Sequence, residues 1–185
     1  MVSKATPVTK QLLPSLIDTG LRISEAVDLT WDTVSLEPKE GAARGWVLVT
    51  KGKTKAARRY IPLTSRAASI LTERKAKKGK SEYIWTLKHG KRLGRMYASR
   101  MFHKIVKEMG LPWDCVLHST RHSFCTRLGE SGADAFTIKS LAGHSSILIS
   151  QRYVHPTPKR VESAIGALEA STVSAIEKAS QSVSA

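Results

Sequence analysis

The chain is short of acid: its 185 residues hold 15 Asp and Glu against 30 Lys and Arg, a formal net charge of +15. Such an excess opposes compaction, and an acidic polymer as partner is the usual reason for it. Cysteine is scarce as well. Cys115 and Cys125 alone cannot make a disulfide framework, and with no signal peptide they predict a reducing, cytoplasmic setting. No apolar run approaches the roughly 18 residues that a membrane span needs. A phosphate-binding Walker loop is missing, since Gly52-Lys53-Thr54 is three residues of one. His118 and His122 have the i,i+4 spacing of a zinc helix, but Ser119 stands where the catalytic Glu would be and Arg121 would set a cation beside the ion. Cys115 and Cys125, ten apart, lack the second pair of a zinc knuckle. No nucleophile-elbow signature supports a serine hydrolase. No metal and no cofactor are therefore expected.

The positive charge is segregated. Between Gly41 and Lys107 lie 19 of the 30 basic residues and two acids, Glu73 and Glu82. The stretch Lys51-Gly52-Lys53-Thr54-Lys55-Ala56-Ala57-Arg58-Arg59 holds five cations in nine residues, which repel one another unless a polyanion lies between them. Lys51, Lys55, Arg58 and Arg59 are candidate phosphate contacts. So are Arg95 and Arg100, on the outer face of a helix that turns Met101, Phe102, Ile105 and Val106 inward.

Periodicity predicts a mainly helical α+β domain with a small three-stranded antiparallel sheet. Leu12 to Ile17 begin a helix that Thr19-Gly20 breaks, and Ser24 is the expected N-cap of the next. Val34-Ser35-Leu36, Trp46 to Val49 and Arg59 to Leu63 read as strands, the last two forming a hairpin. Helices follow from Ser65 to about Lys77, stopped by Gly79, and from about Met96 to Met109. A further helix starts at Ser119 or Thr120 and stops at Gly132. Asp134 caps one with Phe136, Ile138 and Leu141, ending at Gly143, and a short one runs from Ile147 to about Tyr153. After Pro158 comes an amphipathic tail helix with Val161, Ile165 and Leu168, then an Ala/Ser-rich stretch from 172 to 185 expected to lack order.

The chemistry concentrates in four short boxes. His118 and Arg121 lie about one helical turn apart, His144 follows on a Gly-bounded turn, and Tyr153 comes nine residues later. A tyrosine hydroxyl attacks poorly unless its proton is removed and the developing phosphorane charge is offset. Fork-shaped, permanently charged arginines suit the non-bridging oxygens, and Arg22 supplies a second beside Arg121. A lysine near such arginines has its pKa depressed, as a general acid for a leaving alkoxide requires.

Thr19-Gly20-Leu21-Arg22-Ile23-Ser24-Glu25, His118-Ser119-Thr120-Arg121-His122 and Leu141-Ala142-Gly143-His144-Ser145-Ser146 with Tyr153 resemble, in order and spacing, the boxes of the tyrosine recombinases, the phage integrase family. The resemblance spans about residues 12–170. It implies site-specific DNA recombination, with Tyr153 attacking the scissile phosphate to form a 3′-phosphotyrosyl link and release a 5′-hydroxyl. Arg22 and Arg121 would hold the non-bridging oxygens, His118 would manage the nucleophile's proton and His144 would hydrogen-bond the phosphate. Lys53 would protonate the leaving oxygen, with Lys51 and Lys55 as rivals, and Glu25 and His122 would support the site. Because the phosphotyrosyl bond conserves the phosphodiester energy, no ATP is implied. The family's N-terminal core-binding domain has no counterpart before Met1, so residues 1–171 are expected to be the catalytic domain, with 172–185 as its tail. Double-stranded DNA and other protomers, in a cyclic tetramer at synapsis, are the implied partners. The competing reading is a truncated or inactive DNA-binding module derived from a recombinase. A type IB topoisomerase shares the chemistry.

Overall fold

The computed structural model describes residues 7–50 and 58–183. The elements are α1 (Pro7–Thr19), α2 (Ile23–Val27), β1 (Val34–Ser35), β2 (Trp46–Val49), β3 (Arg59–Pro62), α3 (Ser65–Ala76), α4 (Arg95–Glu108), α5 (Leu117–Glu130), α6 (Ala135–Ala142), α7 (Ile147–Gln151) and α8 (Pro158–Val183). Helices dominate, and the three strands form one antiparallel sheet in the order β1-β2-β3. Val47 pairs with Ile61 and Val49 with Arg59. Strand alternation puts Val47, Val49 and Ile61 on the buried face and leaves Tyr60 outside.

The main core joins α1, α2, the sheet, α3 and α4 through Leu12, Leu16, Val27, Ile61, Leu71, Ile84, Trp85, Leu93 and Phe102. Asp18, buried near the end of α1, ties this core to its neighbours. It accepts hydrogen bonds from Arg66 and Thr64 and a longer one, at 3.2 Å, from Arg127 of α5. A smaller cluster of Phe124, Cys125, Ile138 and Ala142 lies between α5 and α6, with Tyr153 and Val154 packed against it.

Several boundaries differ from the sequence expectations, each for a local reason. Ser24 lies inside α2. Arg22 is the N-cap, and its backbone N–H donates to Glu25 Oε2 at 2.8 Å, half of a capping box. Helix α5 starts earlier, at Leu117, because Ser119 Oγ accepts the Val116 N–H and serves as a first-turn acceptor. Helix α3 closes at Ala76 with Lys77 as C-cap, ahead of Gly79. Phe136 of α6 is 74% exposed. Helix α7 ends at Gln151, so Tyr153 stands just beyond it, its N–H donating to Ser150 O. The last helix does not stop near Ser171 but continues to Val183, in keeping with the high helix propensity of its alanines. No helix among the described residues is long and apolar enough to cross a membrane.

Candidate active site

Three left-handed or tightly packed glycines bring the boxes together. Gly20 ends α1 with φ +62, a conformation open to Gly at little cost, and a Cβ there would overlap the Phe124 ring of α5. This close approach lets the Gly20 carbonyl accept a hydrogen bond from Arg121 NH1 at 2.8 Å. Gly143 ends α6 with φ +69, and its own Cβ would strike the Arg59 guanidinium. Gly129, inside α5, lies under the Tyr153 carbonyl, where a Cβ would overlap that oxygen. Alanine is the better helix former at such a position, so contact with the Tyr153 backbone, not propensity, accounts for this glycine.

Glu25 anchors two arginines. Its Oε1 accepts from Arg22 NH1 at 2.8 Å, and its Oε2 pairs with Arg59 NH2 at 2.9 Å. Arg22 also donates to the Gly143 carbonyl at 3.2 Å, and Arg59 Nε to the Leu141 carbonyl at 2.8 Å. The hairpin base and the turn before His144 are thus fastened to the first arginine. Burial would raise the Glu25 carboxyl, but hydrogen bonds and charge from Arg59 and Arg22 hold it below the ordinary range.

Arg59 corrects the sequence expectation. It was a candidate phosphate contact, yet it is 6% exposed and its guanidinium is engaged internally. The reason was present in the strand period: Arg59 stands two residues before the buried Ile61 and shares its face. Arg58, Arg95 and Arg100 are exposed. Lys51, Lys53 and Lys55 lie outside the described residues.

Arg121 is 3% exposed and its NH2 has no hydrogen-bond partner among the described residues. Burial first, then the charges of Arg22 and Arg59, lower its pKa to about 10. Three guanidiniums around one carboxylate leave a positive excess, and an unpaired buried guanidinium nitrogen is an anion site in chemical terms. His118, a turn earlier on α5, is held below the usual imidazole range by burial and by His122, Arg121 and Arg22.

His144 is 6% exposed, and burial followed by Arg121, Arg22 and Arg59 lowers its pKa to about 4, so it is neutral at pH 7. Its Nδ1 lies 2.8 Å from the hydroxyl of fully buried Ser150. In the tautomer in which Ser150 donates to Nδ1, His144 Nε2 carries the proton and is a donor. Sequence reasoning passed over Ser150. The signal available was a serine six residues after His144, one turn before the tyrosine.

Tyr153 stacks on His144, with ring centroids 6.3 Å apart and an interplanar angle of 15°. Its hydroxyl lies 2.6 Å from His122 Nδ1. His122 in turn meets His118 edge-on at 4.8 Å between centroids. Burial pushes the Tyr153 phenol up. Arg22, His118, Arg121, His144 and Tyr153 thus occupy one site assembled from α2, α5, the α6–α7 turn and the segment after α7. Among the described residues no group of three His, Cys, Asp or Glu side chains is placed to hold a metal.

The model of the phage integrase family matches residues 3–160. The chain belongs to the phage integrase family. This family member is 37% identical over 162 residues to the tyrosine recombinase XerD of Corynebacterium glutamicum, a match covering 83% of this chain and 51% of that protein. It is 34% identical over 157 residues to the tyrosine recombinase XerC of Rickettsia typhi, covering 83% and 48%. The chain spans about half the length of the curated relatives it matches. Among solved structures, the Tn1549 transposon integrase in complex with a circular intermediate DNA aligns with a TM-score of 0.73 at 21% identity, over 90% of this chain and 61% of that one. A lambda integrase dimer bound to a core site aligns with a TM-score of 0.65 at 19% identity, over 81% and 43%. The mostly helical domain with its small antiparallel sheet is the fold of those integrases.

Proposed function

We propose that this phage integrase family chain carries out the strand-cleaving and rejoining chemistry of site-specific DNA recombination. The observation that carries the reading is the buried NH2 of Arg121, which has no hydrogen-bond partner among the described residues and whose charge acts on His144 and Tyr153. An anion is what that nitrogen lacks, and a scissile phosphate beside a tyrosine hydroxyl supplies it. Arg22 and Arg121 clamp the non-bridging oxygens, and the neutral His144 donates from Nε2. The Tyr153 oxygen attacks phosphorus to give the 3′-phosphotyrosyl link, and the 5′ oxygen leaves with a proton from Lys53 or from its rivals Lys51 and Lys55. The reverse attack by a 5′-hydroxyl rejoins the strand. Electrostatic stabilisation of this kind is commonly the largest catalytic contribution, about 3–4 kcal/mol per donor.

Double-stranded DNA is the proposed substrate, with the exposed Arg58, Arg95 and Arg100 on its phosphates. Copies of this chain are the proposed partners on DNA. The exposed stripe of Val161, Ile165 and Leu168 on α8, at i, i+4 and i+7, offers an apolar face for a neighbouring protomer.

The test is relaxation of supercoiled plasmid in EDTA by the parent and by Tyr153→Phe. Relaxation by the parent alone, with a covalent DNA adduct mapped to Tyr153, is the expected result. Equal relaxation by both would remove Tyr153 from the chemistry. Salt-sensitive DNA binding by both, with no relaxation by either, would instead favour the binding-module reading.

A further inference from the structure

We propose that Ser150 is a positioning residue, whose hydroxyl holds the His144 ring with Nδ1 as acceptor so that Nε2 presents its proton to the phosphate. This inference rests on the cleavage reading above and adds to it the side chain that keeps one phosphate donor ready.

Ser150 is fully buried, and its hydroxyl lies 2.8 Å from His144 Nδ1. That hydroxyl has no second hydrogen-bond partner among the described residues. Ser15 and Thr19 of α1 differ, since each donates to the carbonyl one turn earlier. A buried O–H with a single partner donates to it or is left unsatisfied, which is costly away from water. Nδ1 therefore accepts. The ring is neutral at pH 7, because burial and the neighbouring arginines oppose a second proton, so its one proton is on Nε2. The opposite tautomer would set Nδ1–H against the hydroxyl oxygen and strand the Ser150 proton.

Ser150 holds the tyrosine as well. Its carbonyl accepts the Tyr153 N–H at 3.0 Å. The side chain and backbone of one residue thus fasten His144 and Tyr153, whose rings stack at an interplanar angle of 15°. The surrounding backbone is fixed locally. Ser146 caps α7 by accepting the Leu148 N–H, and the His144 N–H donates to the Lys139 carbonyl at 3.2 Å. What remains free is rotation of the imidazole about its own side-chain bonds, and the Ser150 hydroxyl stops it. Without that hydroxyl the neutral ring divides between two tautomers, and one of them offers no proton at Nε2.

The experiment follows covalent adduct formation at Tyr153 on supercoiled plasmid by the whole chain. Ser150→Ala keeps the backbone bond to Tyr153 and removes the hydroxyl alone. It is expected to slow adduct formation on the order of 10-fold, less than the roughly 100- to 1,000-fold of losing a donor outright. In a His144→Ala background the same change is expected to add nothing, because its effect passes through that ring. An equal loss in both backgrounds, or none in either, would overturn the assignment. Nitrogen NMR of the DNA-free chain reads the ring directly. A protonated Nε2 beside a bare Nδ1 in the parent, giving way to mixed tautomers in Ser150→Ala, is the expected signature, and a protonated Nδ1 in the parent overturns it. A parent that forms no Tyr153 adduct counts against the cleavage reading instead, and the NMR result then decides the Ser150 assignment separately.

Discussion

The main core and the cluster beneath the site are built from different materials. In the first, Leu12, Leu16, Ile61, Ile84, Trp85 and Leu93 fill the space between α1, the sheet and α4 with apolar side chains. In the second, four residues, Phe124, Cys125, Ile138 and Ala142, make the buried apolar cluster, and around them lie the buried Arg121, His144, Ser150 and, against the hairpin, Arg59. One region is held by area removed from water. The other is held by directed bonds to carbonyls and one carboxylate, with like charges kept close together. Burying charges is costly unless they are paired, so the second region stores positive potential at the expense of stability.

The largest effect expected from breaking this contrast is at Glu25. Glu25→Gln removes the carboxylate shared by Arg22 and Arg59 and leaves the Arg59 guanidinium buried without its charge partner. A loss of about 3–5 kcal/mol in urea unfolding is expected, the range for breaking one side of a buried pair. In the main core, Leu16→Ala is expected to lower stability by about 2–5 kcal/mol. Its cleavage rate per folded molecule should stay near parental, which separates packing from chemistry. Arg121→Met sharpens the comparison from the other side. Cleavage should fall about 100- to 1,000-fold, while the unfolding midpoint stays level or rises, because a buried cation beside Arg22 and Arg59 has been removed. A large drop in stability would show that Arg121 serves the fold through Gly20 more than it serves an anion.

The smallest effect is pH-dependent. Folding depresses the His144 pKa to about 4, and that of His118 in the same direction. Above the ordinary imidazole pKa both states are neutral, and the stability is flat. As pH falls below about 6.5 the unfolded chain takes up protons first. Stability is therefore lost between about pH 6.5 and about pH 4, and His144→Gln should flatten most of that slope in urea titrations at fixed pH values.

The two regions were unequally legible. Apolar periodicity revealed α3, α4 and the hairpin because the core residues recur at helical or strand spacing, and local rules also found Asp134 as a cap. Where the cap was unconventional, as with Arg22, the boundary moved. The site's residue types and spacing marked Arg22, His118, Arg121, His144 and Tyr153, and the resemblance added Glu25 and His122 as supports, but neither marked Ser150 or the inward role of Arg59. Arg59 looked like one more cation in a basic loop. Its burial depended on being in register opposite Val49 and on the Gly143 turn coming to rest against it.

By itself, the order of residues along the chain determined the helical and strand periods, the basic excess and the four boxes that place the chain in its family. These depend on neighbours a few positions apart, whose influence passes through the local backbone. The tertiary structure decided that Glu25 bridges two arginines, that Ser150 holds His144, and that His122 and not its neighbour on the preceding turn meets the Tyr153 hydroxyl. Those pairings join residues 31 and more positions apart as well as near ones. A hydrogen bond requires a distance and an angle that no spacing along a chain specifies until the helices have packed.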